Sequence, residues 1–404
     1  MGIERRRFIQ RGAAGLAGLG LLSWPGLAKT KKEPAAKKEA TKTRPPTRVL
    51  GRTGITLPLV SMGVMNADNP AVVRAALDGG IVHLDTAHSY QGGRNEEMIG
   101  EVLRGRPREA VILSTKVVGM PFDRQTGLFT PATTGEAFLE KFELSLKRLG
   151  TSYVDILYLH SVPRAESARF EPLLAALQKA KKDGKARFIG LTTHRNEPEV
   201  IRAAIAARVY DVVLTSYNFR QEHREEVGRA IAEAAAAGLG VIAMKTQAGV
   251  YFDQEKTRKI DMKAALRWVL AHPGVTTAIP GFTTFDQLAE DLEVLANPTL
   301  SEAERTLLSP PQVASSGFFC DQCGLCERQC ARGLPLPDLM RGYMYAGAYR
   351  NLAAAATLVA ELPLADDPCR ECAACSVSCP KGIDVSGRTR TVMGLRKLPS
   401  SWWV

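Results

Sequence analysis

Between residues 48 and 300, short apolar runs alternate with longer stretches whose apolar positions recur every three or four residues. The short runs are Ser61–Met65, Ile81–Ala87, Ala110–Val117, Val154–His160, Arg187–Thr192, Val212–Tyr217, Gly240–Lys245 and Thr276–Pro280. They are nearly continuous in apolar residues, which predicts strands covered on both faces. Pro70–Gly79, Asn95–Arg104, Thr134–Leu149, Leu173–Lys182, Glu197–Ala207, Arg224–Gly238 and Asp261–His272 predict the intervening amphipathic helices. Repeated β–α units on this scale predict an α/β fold, a (β/α)8 barrel. A doubly wound open sheet is disfavoured, because no Gly-x-Gly-x-x-Gly follows the first run. Val49–Val60, with Gly51 and Thr53-Gly54, predicts a β-hairpin ahead of the barrel.

The flanks follow other patterns. Residues 1–28 open with Glu4-Arg5-Arg6-Arg7-Phe8-Ile9-Gln10, continue through Gly, Ala and Leu, and close at Pro25-Gly26-Leu27-Ala28. Charged start, short apolar run and small exit residues are the order of a signal peptide. Arg-Arg-x-Phe-Ile resembles the twin-arginine export signal, which implies the export machinery as a partner and a periplasmic location. Cleavage falls after Ala28, with an uncleaved anchor as the alternative. Residues 29–47 are rich in Lys, Ala, Pro and Thr with no apolar period, which predicts a basic flexible linker. Residues 301–404 form a separate, mainly α-helical segment, helical in composition over Leu336–Leu362.

Charge would suggest a nucleic-acid partner until it is located. Of a net +11 over 404 residues, +9 lies in residues 1–48 and only +2 in the rest, so a basic nucleic-acid-binding body is excluded. No apolar run reaches the roughly 18 residues of a membrane span.

All eight cysteines fall at or after position 320. Cys320, Cys323, Cys326 and Cys330 are spaced C-x2-C-x2-C-x3-C; Cys369, Cys372, Cys375 and Cys379 repeat the spacing, followed by Pro380. This is the spacing of bacterial ferredoxins with two [4Fe–4S] clusters, in which the fourth cysteine of each motif serves the other cluster. It predicts Cys320, Cys323, Cys326 and Cys379 on one cluster, and Cys330, Cys369, Cys372 and Cys375 on the other. Disulfides compete poorly, because three thiols two residues apart are too close for ordinary bridge geometry. Zinc sites favour paired C-x2-C knuckles. The long Cys330–Cys369 spacer resembles the α-helical ferredoxin domains of respiratory and reductase subunits, with Ala331 where proline often follows the fourth cysteine. An iron–sulfur protein needs a redox partner, and folding around its clusters before export suits the twin-arginine route.

Chemistry in such barrels sits at the C-terminal ends of the strands. Reading those ends gives Asp85, Tyr90 in the next loop, Lys116 and His160. A buried Lys paired with Asp is tolerable where either alone is not. An ammonium beside the Tyr90 phenol should lower its pKa below the usual value of about 10. His83, on the inward face, predicts barrel packing. His88 and His194 sit in rim loops and are expected to line the pocket, whereas His223 and His272 read as surface or helix-end residues.

With these residues in place the chain resembles the aldo-keto reductases over about residues 48–300, and its layout resembles their iron–sulfur branch. The matching stretches are Gly51-Arg52-Thr53-Gly54, Leu84-Asp85-Thr86-Ala87-His88-Ser89-Tyr90, Leu113-Ser114-Thr115-Lys116, Asp155-Ile156-Leu157-Tyr158-Leu159-His160 and Ala278-Ile279-Pro280-Gly281. The resemblance implies a catalytic tetrad, with Tyr90 as general acid, Lys116 and Asp85 as its tuners and His160 orienting a carbonyl. It also implies a nicotinamide site, for which Thr192, Met244, Lys245, Gly281, Thr283, Thr284 and Gln287 are the candidates. There the family pattern breaks. Thr192-Thr193-His194 replaces the usual Ser-Asn, and Met244-Lys245 stands where a stacking Tyr is usual. Residues 279–294 carry Asp286, Glu290, Asp291 and Glu293 with no basic residue. NAD is therefore favoured over NADP. Thr284 and Gln287 read as a capping box. The expectation is an exported oxidoreductase acting on a small carbonyl or alcohol, its electrons relayed through two clusters. The alternatives are an electron-transfer protein whose barrel only docks a partner, and a nicotinamide-dependent reductase with structural clusters.

Overall fold

The structure, a computed structural model, describes residues 45–404 apart from 120, 124–125, 253–257, 310–319, 321–323, 348–350, 371, 373, 381 and 400–404. The expected signal segment, the linker as far as residue 44 and Cys323 lie outside the described residues.

The chain enters as the expected antiparallel hairpin, β1 (Thr47–Val49) on β2 (Thr56–Pro58). Barrel strands β3 (Met62–Gly63), β4 (His83–Asp85) and β5 (Ile112–Val117) follow, then a small hairpin of β6 (Phe122–Asp123) and β7 (Leu128–Phe129). The barrel resumes with β8 (Val154–Leu159), β9 (Ala186–Thr193), β10 (Val212–Ser216), β11 (Gly240–Met244) and β12 (Thr277–Ala278). Eight strands pair in parallel in the order β12-β11-β10-β9-β8-β5-β4-β3. Ser61 and Gly63 N–H groups then reach the Ala278 and Pro280 carbonyls at 2.8 and 3.0 Å, stitching the first strand to the last. Each expected run becomes a strand of this nearly closed barrel.

Helices α1 (Pro70–Asp78), α2 (Arg94–Leu103), α3 (Gly135–Leu149), α4 (Glu171–Lys182), α5 (Glu197–Ala207), α6 (Arg224–Ala236), α7 (Met262–Leu270) and α8 (Phe285–Ala296) follow the strands. Their starts were written in the sequence: Asn69, Thr134, Asp261 and Thr284 each accept a first-turn N–H on their side chains. The main core lies between the sheet and these helices, and a second core fills the barrel interior. In that interior Leu50, Ile55 and Leu57 of the entry hairpin pack against Ile156, Val212, Leu214 and Ile242. The hairpin seats closely because Gly51 has φ of 49° and a Cβ there would lie 2.3 Å from the Gly240 nitrogen.

Helix α9 (Glu302–Leu307) starts in a capping box between Ser301 and Glu304. It belongs to the barrel's packing: Arg267 of α7 bonds Glu304 at 2.5 Å, and Leu308 joins Phe219 and Phe252. Helices α10 (Leu336–Gly347), α11 (Leu352–Ala360) and α12 (Val385–Met393) then enclose a distinct core with Leu339, Met340, Ala355, Val359, Val392 and Cys326. No described helix is long and apolar enough to cross a membrane.

Candidate active site and cluster sites

The barrel brings Asp85, Tyr90, Lys116 and His160 to one rim. Asp85 ends β4, Lys116 lies near the end of β5, and His160 directly follows β8. Tyr90 is aimed by a tight turn in which Gln91, Gly92 and Gly93 all have positive φ. Gln91 bears this uncommon conformation because its Nε2 donates to the Met65 and Ala67 carbonyls at 3.1 and 3.2 Å. At Gly93 a Cβ would sit 2.2 Å from the Arg148 guanidinium carbon.

Lys116 and Asp85 form a salt bridge with side chains only 1% and 2% exposed. The Lys116 ammonium also donates to the Thr86 carbonyl at 2.6 Å and to Tyr90 Oη at 3.3 Å, which uses its three hydrogens. The second Asp85 oxygen accepts from Ser114 Oγ at 2.6 Å, and Ser114 in turn lies 3.0 Å from His83 Nε2. His83 thus does more than pack: its Nε2–H feeds a hydrogen-bonded chain through Ser114, Asp85 and Lys116 to Tyr90. Spacing alone could not show this, because the link runs across to the neighbouring strand.

Burial decides the charges. It pushes the Tyr90 phenol above its ordinary value; the Lys116 charge pulls the other way and does not prevail. The expected lowering is therefore corrected, since desolvation of a phenolate outweighs one nearby ammonium already matched by Asp85. Burial also opposes the Lys116 charge, but Asp85 and Tyr90 overcome it and raise the ammonium's pKa. His160 is held well below the usual imidazole range by burial and by the charges of Lys116, Arg341 and Lys245. Its Nδ1 lies 2.8 Å from Thr192 Oγ1, which already accepts the Ser161 N–H at 2.8 Å. In the tautomer in which the Thr192 hydroxyl donates to Nδ1, Nε2 carries the ring hydrogen and faces the rim as a donor. Thr192, expected at the nucleotide, is occupied in orienting His160.

His194, expected to line the pocket, packs edge-on to His160 on the rim, with ring centroids 5.9 Å apart. His88 does not: it turns to α3, with Nδ1 at 3.2 Å from Ser145 Oγ and Arg148 donating to its carbonyl at 3.0 Å. His223 pairs with Glu197, and His272 with the Gly228 carbonyl.

At the nucleotide side, Met244 ends β11 and is buried, and Lys245 follows with φ of 55°. Buried His194 Nδ1 and Thr246 Oγ1 have no hydrogen-bond partner among the described residues. Such orphaned groups at the ends of β9 and β11 fit a polar ligand seated there. Gly281 leaves space, a Cβ meeting nothing closer than the Gly63 carbonyl at 3.5 Å. The expected capping box is half formed: Thr284 accepts the Gln287 N–H at 3.3 Å, but Gln287 reaches back to Thr283 N–H at 2.9 Å. The acidic set is also smaller than the sequence suggested. Asp291 is turned into the core, where burial pushes its pKa up to about 8, and Glu293 pairs with Lys263.

In the C-terminal region Cys330, Cys369, Cys372 and Cys375 line one small cavity, partly open to solvent. These are the four cysteines expected to share a cluster. Gln329, between Cys326 and Cys330, joins the motifs: its carbonyl accepts from Ser376 Oγ and its side chain from Ser378 N–H, both at 2.6 Å. Cys326 is buried, with Cys320 and Cys379 packed on the same core. Thiolates gathered from both motifs fit the exchange of fourth ligands.

Comparisons with known proteins agree with this layout. The model of the aldo/keto reductase family matches residues 63–264, and that of the 4Fe-4S dicluster domain matches residues 319–384. L-glyceraldehyde 3-phosphate reductase of Escherichia coli (strain K12) is 26% identical over 316 residues, spanning 64% of this chain and 89% of the relative. NADH-specific methylglyoxal reductase of the same strain is 27% identical, spanning 64% and 96%. An aldo-keto reductase structure from Bacillus halodurans in its holo form superposes with a TM-score of 0.54 at 24% identity, covering 65% of this chain and 95% of that one.

Proposed function

The chain belongs to the aldo/keto reductase family and carries a 4Fe-4S dicluster domain, and we propose that it is an exported enzyme that interconverts a small carbonyl compound and its alcohol while exchanging electrons with a partner protein. The observation that carries this reading is the contact of Tyr90 Oη with Lys116 Nζ at 3.3 Å, opposite His160.

A carbonyl oxygen seated between Tyr90 Oη and His160 Nε2 receives two hydrogen bonds. Tyr90 is protonated at neutral pH and gives its proton to the oxygen as negative charge develops there. The Lys116 ammonium, held by Asp85, stabilises the phenolate left behind. His160, neutral and oriented by Thr192, polarises the carbonyl without competing for the proton. When bound, a nicotinamide supplies hydride and the clusters supply or take single electrons. Lys245, Thr246 and the first turn of α8 from Thr284 would hold the nucleotide, and the eight cysteines the clusters. Relatives whose names specify an aldehyde phosphate and methylglyoxal support a carbonyl substrate.

Export rests on the Arg5-Arg6 segment and the apolar run that follows. Preference for NAD over NADP rests on exposed Asp286 and Glu290 beside a segment without basic residues. The deciding experiment is Tyr90→Phe in the holoprotein. Carbonyl turnover should fall by at least about a hundredfold, while the clusters still accept electrons from an external donor. Unchanged turnover would refute Tyr90 as the general acid, and a wild-type protein that passes electrons without turning over any carbonyl would leave the barrel as a docking module. Calorimetric titration with both nucleotides tests the preference, and tighter binding of NADPH than of NADH refutes it.

A further inference from the structure

Helix α10 lies between the two cysteine motifs, yet one stripe of it turns toward the barrel mouth. Asp338, Arg341 and Tyr345 are three and four residues apart and so share a helix face. Tyr345 fixes that face, its hydroxyl 3.4 Å from Met65 Sδ. Asn351 adds a bond to Asn66 at 3.4 Å. Met65 is itself held by Gln91, the neighbour of Tyr90. Arg341, one turn before Tyr345, is thereby brought to the catalytic rim, and its charge is felt at Tyr90, His160 and His194.

Among the described residues Arg341 makes one hydrogen bond, from Nη2 to Asp338 Oδ1. That carboxylate orients the guanidinium and leaves the Nε and Nη1 donors uncommitted there. Lys245 adds positive potential at both imidazoles. His194 contributes a buried ring nitrogen without a partner. An oriented guanidinium with open donors is the group best suited to a carboxylate or phosphate. A neutral carbonyl compound would leave those donors unused.

We propose that the substrate is a carbonyl compound carrying an anionic carboxylate or phosphate, gripped by Arg341 from the iron–sulfur domain while its carbonyl lies between Tyr90 and His160. The proposal rests on the Tyr90-centred reading above and adds a substrate class and a specificity-determining residue from outside the barrel.

Two matched pairs isolate the anion: succinic semialdehyde against butanal, and glyceraldehyde 3-phosphate against glyceraldehyde. Holoprotein is assayed with NADH or a reduced viologen as donor. One charge-assisted contact predicts a preference in kcat/KM of about tenfold or more for the anionic member. The pair with the larger ratio identifies carboxylate or phosphate as the group read. Arg341→Met should bring that ratio close to one, and Arg341→Lys should restore part of it. A ratio untouched by Arg341→Met, or parallel loss for both members of a pair, overturns the proposal. A second arm needs no turnover and so stands apart from the Tyr90 reading. Butyrate and inorganic phosphate are titrated calorimetrically against butyramide. At least one anion should bind better than the amide and lose about tenfold in affinity in Arg341→Met. Equal affinity for anion and amide overturns the proposal whatever Tyr90→Phe does, and cluster absorption in each variant confirms a loaded domain.

Discussion

Replacing Asp85 by asparagine removes a charge and almost no volume, so its effect isolates the electrostatics of the barrel interior. Lys116 would stay buried with neutral acceptors alone: the Thr86 carbonyl, the Tyr90 hydroxyl and the amide oxygen at position 85. Breaking a buried pair by removing one partner costs about 3–5 kcal/mol. The neutral acceptors that remain place this case near the lower end, about 3 kcal/mol, or about 6 °C or more in the barrel's melting temperature. The loss should also depend on pH. In the wild-type protein Asp85 raises the Lys116 pKa, so this contribution is full below the unfolded value and is lost as pH rises through the folded one. Without Asp85, burial dominates and the folded state sheds the proton, so the variant gains on the wild type as pH rises. The assay is thermal unfolding at pH 7 and pH 9.5, following a barrel signal because a two-domain chain need not unfold in one step. Combining Asp85→Asn with Lys116→Met should recover most of the loss. A single variant melting within about 2 °C of wild type, or a double variant as unstable as the single one, would refute the reasoning.

The remaining predictions concern metal, pH and export. Anaerobically purified protein should hold about eight iron and eight sulfide, as two cubanes demand; Cys330→Ala and Cys369→Ala should alter the same electron-paramagnetic signal and Cys379→Ala the other, whereas zinc in place of iron would refute the assignment. Burial pushes the His83 pKa down to about 4, so stability should be full above about pH 6.5 and fall by about 2 kcal/mol between pH 6.5 and 5, as the unfolded chain takes up the proton the folded one refuses. His83→Gln should flatten that slope in urea unfolding, and an unchanged slope would count against it. Lysine at both Arg5 and Arg6 should abolish export on cell fractionation, and undiminished periplasmic protein would contradict the twin-arginine reading.

Much of this was legible in the sequence. Strand runs were readable because parallel strands covered on both faces are continuously apolar, and helices because their apolar positions recur every three or four residues, with Thr284 as a side-chain cap at the last of them. The four rim residues were found by reading strand ends, and the cysteines by spacing alone. What failed depended on depth or direction. The Tyr90 shift was misjudged because spacing shows a neighbouring ammonium and not the loss of solvent. His88 was expected at the pocket because the turn beyond β4 has no periodicity from which to read side-chain direction. Arg341 was missed because it lies on a different domain; its only signal was the i, i+4 spacing with Tyr345 on a helix whose other face is apolar.

The placement of α10 also couples the cysteine motifs to the barrel rim. The helix that presents Arg341 is a loop closed at both ends by cysteine motifs, and Gln329 ties those ends together. Metal ligation at that closure removes the freedom of the intervening chain and so limits where α10 can rest. Ligation at the closure and docking of α10 against Met65 restrict the same stretch of chain, so a change at the cysteine motifs is felt at the barrel rim and the reverse.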